Sequence, residues 1–333
     1  MIPHEDRGTA VDQERLLEAR AMEPAGQPAS AEQALAEAMA GGDASRLETE
    51  APVRSQWALV RRRFLRHRMA VLSLIVLALL YLACFTAHLW APYPQGEQHL
   101  LDAKQPPSGE HWFGTDTLGR DMFTEVLFAG QISLKIGMGV AIIATVVGVT
   151  LGSVAGYFGR FVDGALVWIT DLFLIVPGIA VLAIALKKFG TTDVTIILVL
   201  AGLAWMTIAR VTRGQVLSLK EKEFVEAARA SGASHGRIIS RHLLPNMIGP
   251  IMVNATLAVA AAIIAESTLS FLGFGVQPPQ TSWGNMLSDG KGYITGDSAF
   301  LVYFPALAIL ITVLCINFLG DGLRDALDPQ ATR

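Results

Sequence analysis

Long apolar runs alternate with short polar segments along this chain. Six runs stand out, at about 69–87, 134–156, 166–186, 194–209, 248–271 and 300–319. A helix needs roughly 20 apolar residues to cross a hydrocarbon layer of about 30 Å, and these runs have that length. They are apolar nearly all round, so a 3.6-residue period adds little. The pattern predicts an all-α membrane protein with six transmembrane helices. Glycine and proline recur inside the runs: Gly137, Gly139, Gly148, Gly152, Gly156, Pro177, Pro250 and Pro305. In water they would weaken a helix, whereas in lipid they permit close helix approach and local kinks. Gly148, Gly152 and Gly156 fall on one face, predicted to pack against another helix. The fourth run is the shortest, and Trp205 and Thr207 extend it into the interface.

The polar remainder is uneven. Residues 1–52 are rich in Ala, Glu and Gln and poor in the aromatic and β-branched residues that offset ordering entropy. A disordered cytoplasmic tail is expected there, with a short helix near residues 31–40. The first strongly apolar run begins only near Met69, so no secretory signal is expected. Residues 53–68 form a basic segment that abuts the first run, which disfavours a nucleic-acid patch. If the N-terminus is cytoplasmic, the inner segments hold sixteen Lys and Arg, leaving out the distal tail, from Arg54 and Arg61 to Arg324 and Arg333. The outer ones hold five: Lys104, Arg120, Lys187, Lys188 and Lys291. That satisfies the positive-inside rule. An even number of spans returns the C-terminus to the cytoplasm. Residues 69–333 are expected to form one transmembrane domain of a multi-pass inner-membrane protein. Its long connections lie at 90–132 outside and 210–246 inside.

Composition changes this picture little. The chain is 52% hydrophobic and 17% charged with a net charge of −3, an average over an acidic tail and basic loops. Cys84 and Cys315 fall within predicted spans as packing residues. No His-Glu-x-x-His or Gly-x-Ser-Gly is present, and His235 and His242 sit in the inner loop. No catalytic constellation and no metal site are expected. Gly284 to Lys291 has the wrong spacing for a phosphate-binding loop, with Gly292 where Ser or Thr should follow. Three polar residues within the spans are candidates for a translocation path or for helix–helix polar contacts: Asp171, Glu266 and Asn317. Glu266 is expected near the outer surface, close enough to be hydrated. Lys135, at the start of the second run, is expected to snorkel outward.

The inner loop has a definite local pattern. Ser218 with Glu221 three residues on resembles a capping box that opens a helix. That helix brings Phe224, Ala227, Ala228 and Ser231 near one face. Gly232 supplies a turn. Ser234 can cap a second short helix carrying Ile238 and Ile239, stopped before Pro245. By composition the pair reads equally as a docking knob or as an amphipathic helix on the lipid surface.

The residues Glu226-Ala227-Ala228, then Gly232, then Ile239 and Leu244-Pro245, resemble the EAA loop of ABC importer permeases. Further stretches resemble the dipeptide and oligopeptide C-type subunits of the peptide/nickel permease group. They are Phe113-Gly-Thr-Asp-Thr-Leu-Gly-Arg-Asp121, Gly156-Tyr-Phe-Gly159, Ser270-Phe-Leu-Gly-Phe-Gly-Val-Gln-Pro-Pro279, Ser282-Trp-Gly-Asn-Met286 and Leu319-Gly-Asp-Gly-Leu-Arg-Asp-Ala-Leu-Asp-Pro329. The matches run from about Arg54 to Pro329, leaving only the tail outside. The resemblance implies a type I ABC importer permease bundle with a cytoplasmic coupling loop at 210–246. It also implies a homologous permease partner, two ATPase subunits that carry ATP and Mg, and an extracytoplasmic solute-binding protein. Phe224, Glu226, Ala227, Ala228, Gly232, Ile239, Leu244 and Pro245 would then contact the ATPase. On the outer side, Asp116 is expected to cap a helix near Leu118, with Arg120 and Asp121 on its first turns. Those three residues, with Trp283 and Asn285, are the expected binding-protein contacts. Peptides are the expected cargo, with nickel or another small solute as the alternative. A secondary transporter or channel subunit would leave the inner loop unexplained.

Overall fold

The computed structural model describes residues 56–175 and 177–327 of the chain. The tail at 1–52 lies outside the described residues. Among those described, the chain is helices joined by turns, with one isolated bridge between Thr115 and Asp121.

A short basic helix, α1 (Gln56–Arg66), leads into α2 (Arg68–Phe85). His67 opens α2 by accepting the Ala70 N–H at Nδ1, 3.1 Å away. After a four-residue turn of helix, α3 (Ala87–Trp90), a long loop reaches α4 (Met122–Phe158). The cap of α4 is Asp121, whose carboxylate accepts the Thr124 N–H at 2.8 Å. The helix therefore starts four residues later than the Leu118 expected from the sequence, but well before residue 134. Gly159, at φ +64°, ends it with a backbone turn that side chains resist.

The third apolar run is a correction. It is not one span but two helices, α5 (Arg160–Ile175) of 16 residues and α6 (Gly178–Phe189) of 12. The break falls at Pro177, which lacks an N–H and disfavours helical geometry in the residue before it. Thr192 then caps α7 (Asp193–Leu219), accepting from Thr195 N–H at 3.2 Å. After α8 (Glu223–Ala230) comes a continuous helical run, α9 (His235–Phe271). The chain closes with α10 (Trp283–Gly290) and α11 (Phe300–Leu327). Among the described residues, five helices, α2, α4, α7, α9 and α11, are long and apolar enough to cross a membrane.

The glycine face of α4 packs against α7. A Cβ on Gly148 would sit 2.7 Å from the Trp205 carbonyl and one on Gly156 2.9 Å from that of Arg213, while one on Gly152 would overlap the Ala209 carbonyl. The two backbones touch over three turns, a contact that any side chain would abolish. The main core joins α4 to α2, α9, α10 and α11, with Leu77, Leu134, Ile263, Trp283 and Ile316 among its buried members. A second cluster joins Leu182 and Leu186 of α6 to Ile196 and Leu200 of α7. Outward faces remain apolar at Leu79, Leu82, Ile142, Val146 and Leu310, as lipid-facing helices require. Lys135 does not snorkel freely: extension of α4 places it in mid-helix, where Nζ meets Asp193 at 2.5 Å.

Candidate functional site

The basic end of the bundle carries a corner made by α8 and the start of α9. The expected capping box does not form, because Ser218 lies in the last turn of α7. Residues 210–219 stay helical where Val216 packs beneath Gly156. Helix α8 starts at Glu223 behind Lys222, with Glu223 and Glu226 in its first turn, where a helix N-terminus favours negative charge.

The two faces of α8 differ. Val225 is wholly buried in a small core with Tyr157, Val216, Ile238, Leu243 and Met247. Ala228 packs against that core, while Phe224, Glu226 and Ala227 are exposed. Gly232, at φ +76°, ends α8 in a Schellman turn: its N–H donates to Arg229 O at 3.0 Å, and the Ala233 N–H donates to Ala228 O at 3.1 Å. A Cβ at Gly232 would meet nothing within 4 Å, so glycine is needed there for conformation and not for space.

Beyond the elbow the expected stop before Pro245 does not occur. The helix widens to π geometry over Ile238–Leu243 and tightens to 3-10 over Leu244–Met247, with Pro245 in the first turn of that piece. Changing the hydrogen-bond register around the ring lets the run continue to Phe271. Ser234 stands at the N-cap position, but its hydroxyl makes no capping bond. Ile239 and Leu244 are half-buried and Pro245 is exposed.

Three ties hold the elbow and the end of α7 to α4. Tyr157 Oη lies 2.9 Å from His235 Nδ1, Arg229 stands 5.7 Å from the Tyr157 ring, and Lys220 Nζ donates to Gly156 O at 3.2 Å. The sequence did not mark Tyr157 or Val225. An aromatic residue at the end of a glycine stripe was the available signal, but its partner is 78 residues away.

The polar residues of the spans separate into different settings. Asp171 accepts from Arg210 Nη2 at 2.7 Å, bridging α5 and α7. Glu266 is not hydrated: it is wholly buried, accepting from Ser270 at 2.6 Å, Ser133 at 3.4 Å and Ser267 at 3.5 Å. Helix α10 lies over it, because Gly284 lets that backbone approach Ser267 and Ser270. Asn317 is half-buried, and its side chain makes no hydrogen bond among the described residues.

The five outer-side candidates are mostly internal. Asp116 caps no helix; its Oδ1 accepts the Leu118 and Arg120 N–H groups at 2.8 Å each, and Oδ2 meets Arg120 Nε at 2.6 Å. Asp121 caps α4 and meets His111 Nδ1 at 2.9 Å. Trp283 is wholly buried, donating from Nε1 to Val126 O at 2.9 Å, and so presents no surface to a partner. Its indole closes the core beneath α10. Asn285 is half-buried and donates to Val276 O. Arg120, Asn285 and Asp289 line an open cavity of about 700 Å³ together with Gln98, Gln277 and Gln280. At its rim the Asp289 carboxyl has a raised pKa, mainly through desolvation and with help from Asp116, against the opposing pull of Arg120 and Lys291.

An apolar helical bundle with a packed polar corner at one end is the architecture of a multi-pass membrane protein. Residues 148–333 match the family described as the binding-protein-dependent transport system inner membrane component, and residues 55–107 match the N-terminal TM domain of oligopeptide transport permease C. The chain belongs to this family of binding-protein-dependent inner-membrane transport components, and it is a transport subunit rather than an enzyme. It is 43% identical to the oligopeptide transport system permease protein OppC of Mycobacterium tuberculosis, over 83% of this chain and 96% of that protein. It is also 41% identical to the dipeptide transport system permease protein DppC of Bacillus subtilis, over 82% of this chain and 85% of that protein. Against the OppC protein of Bacillus subtilis the identity is 38%, over 87% and 94% of the two chains.

Proposed function

We propose that this chain is the permease subunit of an ATP-driven importer, translocating di- and oligopeptides delivered by an extracytoplasmic binding protein. In this reading α5 and α6 together make the third of six crossings in a type I importer bundle. Both termini and the elbow then lie in the cytoplasm. A homologous permease completes the pathway, and two ATPase subunits supply ATP and Mg. The observation that carries the reading is the elbow: Phe224, Glu226 and Ala227 stand exposed on a corner whose inner face is fixed by Val225, Tyr157 and Gly232. A helix presented to a groove draws affinity from apolar anchors and register from rim charges, and this face offers Phe224 for one and Glu226 for the other. The names of the relatives favour peptides over nickel or another small solute.

The test is affinity co-purification from detergent-solubilised membranes. The expected outcome is recovery of a P-loop ATPase and a second permease, both with this chain. A chain that purifies alone and moves a solute down its gradient would replace the importer with a secondary transporter.

A further inference from the structure

Helix α5 is attached to the bundle differently from its neighbours. Only Leu166 and Thr170 are buried among its described side chains, while Phe161 and Trp168 point outward. Leu166 packs with Ala155 of α4 and with Trp205 and Ala209 of α7. The remaining ties to α7 are charged. The Arg213 guanidinium engages both carboxylate oxygens of Asp163, with Nη2 2.7 Å from Oδ2. Arg210 Nη2 reaches Asp171 Oδ1 at 2.7 Å and the Thr170 hydroxyl at 3.1 Å. Asp163 and Asp171 are eight residues apart, roughly 12 Å along the helix, so the two arginines grip α5 at two levels.

Both arginines lie in the last turns of α7, which leads through residues 220–222 into α8. Because the glycine face fixes α4 to α7, a displacement of the elbow carries those two helices together. Nothing comparable fixes α5. Apolar contact alone is a poor leash in a membrane, because lipid tails are as apolar as leucine and a loosely packed helix can exchange one for the other. A two-pronged arginine–carboxylate pair fixes both distance and orientation, and separating its charges near lipid is expensive.

We propose that the Asp163–Arg213 and Asp171–Arg210 pairs are the linkage that makes α5 follow α7 when the elbow moves during transport. These four residues are positioning residues, acting through the helices they join. The inference rests on the importer reading above.

The test uses the whole transporter, with its ATPase subunits and partner permease, reconstituted in vesicles with binding protein and a labelled tripeptide. The readout is tripeptide taken up per ATP hydrolysed. In D163N/D171N the ratio is expected to fall about fivefold or more. D163R alone, which sets two arginines against each other, is expected to lower the ratio as well, and D163R/R213D, which re-forms that pair with its charges exchanged beside the native Asp171–Arg210 pair, returns it toward that of the unmodified chain. An unchanged ratio in D163N/D171N overturns the linkage. Should D163N/D171N not assemble, D163R and D163R/R213D decide: a ratio lowered in the first and restored in the second supports the linkage, whereas equal ratios in the two, or a swap that does not restore it, overturn it. An unmodified transporter that hydrolyses ATP but takes up no tripeptide would instead sink the peptide-importer reading.

Discussion

The two ends of this bundle are built on opposite plans. At the end carrying α10, polar and aromatic groups turn inward. Glu266 is enclosed by serines, Trp283 is wholly buried, and Asp121 is held by a helix N-terminus and a histidine. At the basic end, six buried side chains hold a corner whose outer face is left uncovered. One end spends its polar groups on keeping α4, α9 and α10 together, while the other orders a small surface and satisfies little of it internally. The contrast separates what maintains the bundle from what is available to a partner. It also shows that a tryptophan or an aspartate in a polar loop is not by that fact a contact residue.

The contrast can be broken first at Trp283. Trp283→Ala removes an indole from the main core together with its hydrogen bond to the Val126 carbonyl, a loss of about 3–5 kcal/mol. The thermal midpoint of the detergent-purified subunit should drop accordingly, and an unchanged midpoint would show that the α10 end is not sealed as described. Glu266→Ala comes next, at roughly 1–3 kcal/mol, since it strands the Ser133 and Ser270 hydroxyls that donate to it. Glu266→Gln should be milder in the same measurement, because the side-chain carbonyl still accepts.

At the basic end the effect should move from stability to partnership. Gly232→Val forces a β-branched residue into left-handed geometry, on the order of 1–2 kcal/mol, in a place where its side chain meets open space. The bundle should stay folded while the yield of co-purified ATPase falls; normal peptide uptake by this variant would contradict a docking role for the elbow. The smallest effect on partnership belongs to Asp121→Ala, which loses the cap of α4, worth about 1 kcal/mol, and with it the His111 contact. It sharpens the comparison because it should lower the thermal midpoint without changing ATPase recovery.

Much of this was legible in the sequence. Span lengths gave the membrane bundle, and the three glycines on one face of α4 correctly implied a touching helix, which is α7. The Gly232 turn was equally readable, since few residues other than glycine fit there. What failed was everything decided by distant partners. Residues 210–219 read as loop because their charges hid a helix that continues against Gly156. Pro245 read as a stop because a sequence does not reveal that the hydrogen-bond register will change around it. Pro177, in contrast, does divide its run, and the apolar pattern around it concealed the division. Glu266 looked accessible from its position near a span end, and Trp283 from its place in an outer loop. Their burial depends on α10 folding back over α9, which Gly284 permits only in three dimensions.

On the importer reading, the exposed face of α8 meets an ATPase subunit in the cytoplasm. The most direct measurement places a cysteine there, Ala227→Cys, in a chain whose Cys84 and Cys315 are replaced by alanine. A short thiol cross-linker is then applied to inside-out membrane vesicles containing the assembled transporter. The account predicts a cross-link to a P-loop ATPase that is lost when Gly232→Val is added. If the cysteine instead forms no cross-link and is modified from the extracytoplasmic side by a membrane-impermeant reagent, the orientation and the docking role both fall.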